Sequence, residues 1–296
     1  MEPNRASITR PGLLPLFVHP ASAWPEHFVT GGLWLVTLGV IGVFAWILGD
    51  LLYHGATALS LDFVLQPPLQ AGRAGGISTV IIGTLLIVGV ALGSAVPISL
   101  GTAILLAEAS NAETSFGRVV RRSLDVLAGV PSIVFGLFGL ALFGQFLGWS
   151  ILSGGLTLAC MILPVLIRST EESVRAVPAS LRHGAAALGL SPRAILCHLT
   201  LPAATPGILA GLVLSVGRAL AETAALLFTA GAAIRMPTSL FDSARSLSYH
   251  IYLLAIEVPG GQERAYASAV VLVGMLLLLN GAAVLLARRF QRRLAP

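Results

Sequence analysis

The run Gly217–Gly231 reads GRALAETAALLFTAG and carries two opposite charges, Arg218 and Glu222, inside an apolar stretch of about 203–228. A charge at the bilayer centre costs roughly 2.5–3.5 kcal/mol on insertion scales, so two in one segment need a reason. On a continuous helix, residues four apart share a face and can pair. Two chemistries fit: an anion path lined by Arg218, or a buried ion pair that fixes helix register. Gly207, Gly211, Ser215 and Ala219 add a ridge of small residues on the same segment, a surface for close packing with a neighbour. A third candidate charge, Arg168, opens Arg168-Ser169-Thr170-Glu171-Glu172 at the end of another apolar run. It reads either as a snorkelling interfacial arginine or as the inner lip of an anion path.

Other chemistries are excluded by what the chain lacks. All 18 basic residues are arginine. Without lysine there is no P-loop and no Schiff-base amine. If ATP drives this protein, another subunit binds it. There is no H-E-x-x-H and no G-x-S-x-G. Two cysteines, Cys160 and Cys197, make neither a disulfide framework nor a metal cluster, and the six histidines are scattered. The sequence therefore predicts no catalytic residues, no metal and no cofactor.

The elements that must position these residues are membrane helices. The 296 residues are 56% hydrophobic and only 10% charged, with a mean hydropathy of +0.89; typical soluble domains are roughly 25% charged. Six runs approach the roughly 20 apolar residues of a spanning helix: Gly31–Leu52, Ile77–Leu106, Leu127–Leu147, Ile151–Ile167, about 203–228, and Ala265–Ala287. They are continuous rather than alternating, which excludes a β-barrel. In the third, Gly129, Pro131 and Ser132 predict a kink whose freed backbone groups the serine satisfies. Near the start, Arg5 and Arg10 precede a short apolar stretch, but Pro15 and Pro20 interrupt it. Residues 1–28 are therefore expected to form a cytoplasmic or interfacial tail rather than a signal peptide, and residues 29–296 the transmembrane domain.

Orientation follows from the arginines. With the N-terminus inside, thirteen lie in inside segments and four in outside segments, and Arg218 lies within a span. This predicts both termini in the cytoplasm. It also accounts for the net charge of +5 and the pI near 10 as a topology signal, without nucleic acid. The inside loop 168–200 is expected to hold two short helices with a sharp turn, Gly189 ending the first and Ser191-Pro192 starting the second. In the outside loop 231–264, Leu240, Ala244, Leu247, Ile251 and Leu254 predict an amphipathic helix on the outer face or dipping into the bilayer.

The inside loop reads HGAAALGLSPRAILCHLTLP over 183–202. A triplet (His183, Gly184, Ala185) is followed after three residues by Gly189, then after nine by Leu199, and then by Leu201-Pro202. This spacing resembles the cytoplasmic signature of ABC-importer permeases, whose short helix docks into a cleft on the ATPase subunit. Small side chains at Ala185, Ala186 and Ala187 would let a partner approach closely, and the glycine allows the turn. His183 and Gly184 stand where the signature has glutamate and alanine, which removes one charged contact to the ATPase.

Further runs make the resemblance more specific: Gly75-Gly76-Ile77, Gly83-Thr84-Leu85, LAGVPSIVFGL over 127–137, Leu163-Pro164, Arg168 to Glu172, Val177-Pro178, Gly217-Arg218-Ala219 with Glu222-Thr223-Ala224, Leu227-Phe228-Thr229 and Asn280. Together, over about 75–289, they resemble the A-type permease subunit of the bacterial high-affinity phosphate ABC importer (the Pst system). The resemblance implies an all-α, six-helix, type I ABC importer (MetI-like) fold in the inner membrane, and a transport subunit rather than an enzyme. It implies a second, related permease subunit, two cytoplasmic ATPase subunits and a phosphate-binding protein, besides membrane lipid. It places Arg168, Arg218 and Glu222 at charged positions linked to phosphate passage. Arginine forks suit an oxyanion. A carboxylate such as Glu222 can accept a hydrogen bond from the proton that phosphate carries and sulfate lacks, while repelling sulfate. The alternatives are a permease for sulfate, molybdate or phosphonate, a proton-coupled secondary transporter using Glu222, and a structural membrane scaffold.

Overall fold

The computed structural model describes residues 23–109 and 114–294. The chain divides into two units, Met1–Asp50 and Leu51–Pro296. The described part of the first is one helix, the bulk of α1 (Ala23–Ala58). At 36 residues and 1.5 Å per residue it is about 54 Å long. Large apolar side chains such as Trp34, Leu35 and Trp46 are exposed along it, as suits a surface solvated by lipid. Residues 23–28 already belong to this helix; the rest of the expected tail, with Arg5 and Arg10, lies outside the described residues.

The second unit starts within α1. It continues through α2 (Leu61–Leu65) and a small hairpin of β1 (Pro68–Leu69) and β2 (Ala74–Gly75), paired antiparallel with Pro68 opposite Gly75. Then come α3 (Ser78–Ile104), α4 (Ser115–Ala128), α5 (Ser132–Gly139), α6 (Gln145–Leu147), α7 (Ile151–Arg175), α8 (Ala179–Ala187), α9 (Pro192–Ile195), α10 (Leu201–Ala221), α11 (Ala224–Thr229), α12 (Leu247–Ile256) and α13 (Gln262–Leu294). π-helical turns prolong α3 over Leu105–Ala109, join α5 to α6 over Leu140–Gly144 and join α9 to α10 over Leu196–Thr200.

The core lies where α3, α7 and α10 meet. Ile87, Val88, Ala91 and Ala95 of α3 pack with Leu158, Ile162 and Leu166 of α7 and with Val216, Ala219 and Leu220 of α10. The small-residue ridge has its predicted use. A Cβ on Gly211 would come within 2.2 Å of the Ser169 hydroxyl, and one on Gly207 within 2.1 Å of that of Ser173. Glycine here allows the backbone of α10 to lie directly on α7, and the Ser169 hydroxyl donates to the Gly207 carbonyl at 3.2 Å.

Among the described residues, five helices are long and apolar enough to cross a membrane: Phe28–Ala58, Ser78–Glu108, Ile151–Arg175, Pro192–Ala221 and Gln262–Leu285. The expected third span is not one helix. Ser115–Ala128 and Ser132–Leu147 meet at 103°. Pro131 has no N–H and pushes Val130 out of the helical region, so the chain turns rather than kinks. Ser132 does not cap the break; the Val134 N–H donates to the Pro131 carbonyl instead.

Two other expectations need correction. The fifth span stops at Ala221, because Glu222 is extended (φ −71°, ψ 129°), and α11 starts afresh at Ala224. The outer-loop helix covers only Leu247–Ile256, and Ala244, Leu247 and Leu254 are buried in the bundle rather than lying on its surface. The apolar spacing was real, but it marks burial against α3 and α13. Residues 239–242 form a turn because the Asp242 carboxylate accepts the N–H groups of Thr238 and Ser239.

Candidate substrate path and docking site

Arg218 sits in the last turn of α10 and is half-buried. Its expected pairing with Glu222 is not made. The helix breaks at Glu222, which takes its side chain off the i, i+4 position. The Glu222 carboxylate instead accepts the N–H of Ala225 at 3.1 Å, holding the start of α11. Its backbone carbonyl accepts the Ser248 hydroxyl of α12. Arg218 is thus a guanidinium at an interrupted membrane helix with no ion-pair partner among the described residues. Irregular backbone at membrane depth is tolerated only inside protein or along a water-filled cavity.

Arg168 is not brought to Arg218. Gly211 lies on Ser169 and Gly207 on Ser173, so α10 and α7 run antiparallel. Arg218 is seven residues beyond Gly211, about 10 Å further along the axis. Arg168 sits beside Ser169 and belongs to a charged cluster that runs from there along α7 away from Arg218. Its Nε lies 3.2 Å from Asp125 of α4, and its Nη1 3.5 Å from Glu171. Glu171 is the hub, with its side chain 2% exposed. Arg121 reaches it at 2.6 Å and Arg175 at 3.0 Å, and both also donate to the Leu106 carbonyl at 3.0 Å. Three arginines and one buried carboxylate thereby clamp the ends of α3, α4 and α7.

The docking loop has the expected form. α8 ends where Gly189 takes φ +81°, a left-handed position that a side chain would strain. The Ser191 hydroxyl accepts the Ala194 N–H at 3.3 Å, and Pro192 opens α9. His183, Gly184, Ala186, Ala187 and Gly189 are exposed, as are Leu188 and Leu190, while Leu201 and Pro202 are half-buried. Ala185 differs from expectation: it is buried and faces its own fold, so it supports the loop rather than offering it to a partner. Arg182 of α8 ties the loop to the bundle, pairing with Glu108 at 3.0 Å and donating to the Val174 carbonyl.

Sequence reasoning missed this cluster, although the signal was there. Arg118, Arg121, Arg122 and Asp125 on α4, and Arg168, Glu171, Glu172 and Arg175 on α7, both follow i, i+3, i+4, i+7. Each set is one helix face. Sequence reasoning also missed a buried group at the other end. The Arg245 guanidinium donates to the carbonyls of Ala232 at 3.1 Å and Ala71 at 3.3 Å and reaches His250 Nδ1 at 3.3 Å. It pins the turn after β1 to the loop before α12. Burial first, and then the Arg245 charge, hold His250 down to about 4.

A bundle of membrane-spanning helices, one broken just after an arginine that has no ion-pair partner among the described residues, with a short exposed helix–glycine–helix loop at one end, defines a polytopic membrane permease. Residues 95–296 match the family described as "Binding-protein-dependent transport system inner membrane component", and the chain belongs to that family. Its members are transport subunits rather than enzymes, so the chain is a multi-pass permease of a bacterial membrane. It is 31% identical over 263 residues to the "Probable ABC transporter permease protein YqgI" of Bacillus subtilis, covering 82% of this chain and 87% of that protein. It is 33% identical over 248 residues to the "Phosphate transport system permease protein PstA" of Haemophilus influenzae, covering 81% and 86%. The MetNI methionine ABC transporter in an inward-facing form matches in fold, with TM-score 0.56 at 16% identity over 74% of this chain and 97% of that one.

Proposed function

We propose that this chain is a permease subunit of an ATP-driven importer of inorganic phosphate, with Arg218 on the ion's path. The observation that carries this reading is the half-buried Arg218 guanidinium, without a carboxylate partner among the described residues, at the break between α10 and α11. An anion that neutralises it in passing, rather than a fixed counterion, suits transport, because a conducting site must release what it binds. Similarity to permeases named for phosphate transport supports the substrate. Glu222 lies at the break itself, and the carboxylate that holds Ala225 has further acceptor positions for a protonated phosphate oxygen. Arg168 takes the same role nearer the docking end, its charge shared with Asp125 and Glu171.

In this reading both termini are cytoplasmic. A second permease subunit completes the path and a phosphate-binding protein delivers the ion from outside. Two ATPase subunits sit below the permease pair, and one of them receives the loop His183–Gly189, with Leu201-Pro202 as its base. ATP binding and hydrolysis move that loop, Arg182 and Glu108 carry the movement to α3, and the bundle alternates between outward and inward access. The test is phosphate uptake by proteoliposomes holding the four components, with and without Arg218→Gln. The expected result is ATP-dependent uptake that the variant abolishes while the complex still assembles. Normal uptake by Arg218→Gln would make the residue a packing device, and uptake without ATP would overturn the importer reading.

A further inference from the structure

We propose that the pocket between α4 and α7, at the docking-loop end, binds a phosphate oxyanion through Arg118 and Arg122. Arg168 lines the same pocket, but the two arginines that would hold the ligand are not path residues, so the site does not depend on the path. The two charged faces align in antiparallel order, Asp125 against Arg168 and Arg121 against Glu171. One turn further on, the pairing runs out. Arg118 arrives at the level of Arg175, itself already bound to Glu171. Among the described residues the Arg118 guanidinium makes only a 3.4 Å contact to the Ser115 hydroxyl, and Arg122 has no hydrogen-bond or ion-pair partner.

The pocket has a volume of about 400 Å³. Its eight lining side chains are all charged: Arg118, Arg121, Arg122, Asp125, Arg168, Glu171, Glu172 and Arg175. Five guanidinium groups face three carboxylates. Glu171 and Asp125 are engaged, and Glu172 is exposed. The surplus positive charge therefore sits on Arg118 and Arg122. Two guanidinium forks one turn apart match the several acceptor oxygens of a phosphate.

The setting of α4 indicates where such a phosphate comes from. The helix is 14 residues long, too short to span a bilayer, and turns 103° from the apolar segment after it. Phe116, Val119 and Val126 are exposed on it. At 100° per residue these apolar groups occupy a face adjoining the arginines, with Arg122 nearest the boundary. A helix with that division lies in the membrane interface, apolar face among the acyl chains and arginines at headgroup depth. An anionic phospholipid headgroup satisfies this chemistry; free phosphate on the docking-loop side offers the same oxygens.

The experiment separates the two sources. The full chain, purified in detergent, is titrated with phosphatidylglycerol or with phosphatidylcholine and bound lipid is counted by native mass spectrometry. In a second arm, thermal unfolding is followed against inorganic phosphate. Both arms use the wild type, Arg118→Gln/Arg122→Gln and Arg118→Lys/Arg122→Lys. The expected result is preferential retention of phosphatidylglycerol, weakened about thirtyfold by the double glutamine variant, the effect of two surface arginines, and largely kept by the double lysine variant. Arginine-dependent stabilisation by inorganic phosphate alone would support the oxyanion site and name free phosphate as its ligand. Equal behaviour of wild type and double glutamine variant in both arms, with the variant folded, would overturn the proposal.

Discussion

Glu171 accepts three arginines, and its surroundings leave almost no water to take their place. Removing one partner of a buried ion pair costs about 3–5 kcal/mol, because the charges left behind are uncompensated. Glu171→Gln keeps the shape and removes the charge. It is expected to lower stability by that order, read as an earlier thermal transition of the detergent-solubilised chain; an unchanged transition would remove Glu171 from the hub. At the other end, His250 is neutral in the fold, held at about 4 against about 6.5 when unfolded. Between those values the unfolded chain binds the extra proton, so stability is full above about 6.5 and falls as the pH drops toward 4. A gap of that size corresponds to about 3 kcal/mol at most. The check is the difference between wild type and His250→Gln in unfolding temperature from pH 7 to 4. The wild type should lose more, and parallel curves would contradict the burial argument.

Helix α10 owes its seat on α7 to two missing side chains. Gly211→Val would place a methyl-bearing Cβ 2.2 Å from the Ser169 hydroxyl. Overpacking of this kind costs about 1–3 kcal/mol, and here it also tilts the helix that carries Arg218. Gly211→Val is expected to reduce both folded yield and uptake, with Ser169→Gly in the same chain restoring part of each; no rescue would place the damage elsewhere. This ridge was legible from the spacing of Gly207, Gly211, Ser215 and Ala219, because helical periodicity alone fixes which residues share a face. So were the docking loop's two short helices, set by Gly189 and Ser191-Pro192. The helix breaks at Pro131 and Glu222 were not. A lone proline within an apolar run is compatible with a kink or a turn. At Glu222 the break is held by Ala225 three residues on and also by Ser248, a contact from a separate helix that no local pattern contains. The Glu171 hub escaped for the same reason: its members lie on two helices, and Arg121 and Glu171 are 50 residues apart.

Across the whole molecule, charge is sorted by end. The Glu171 hub, the Arg118–Arg122 pocket and the Arg182–Glu108 tie gather where α8 and α9 project, while Arg245 and His250 lie among the residues joining α11, α12 and the hairpin. Such a division is what membrane insertion imposes, since basic residues near a span are retained on the cytoplasmic side. The proposed function puts the loop 183–202 on the same, cytoplasmic side, and the chain's own cysteines can test that. Cys197 is exposed in the turn after α9, whereas Cys160 is partly buried within α7. Burial also raises the Cys160 side chain's resistance to attack, since only the exposed thiol meets aqueous reagent. A membrane-impermeant maleimide is therefore expected to label Cys197 in inverted vesicles and leave it unlabelled in right-side-out ones, with Cys197→Ser abolishing the signal. Labelling only from the outer side would reverse the topology. The loop would then face away from ATP, and the coupling route through Arg182 and Glu108 would have nothing to drive it.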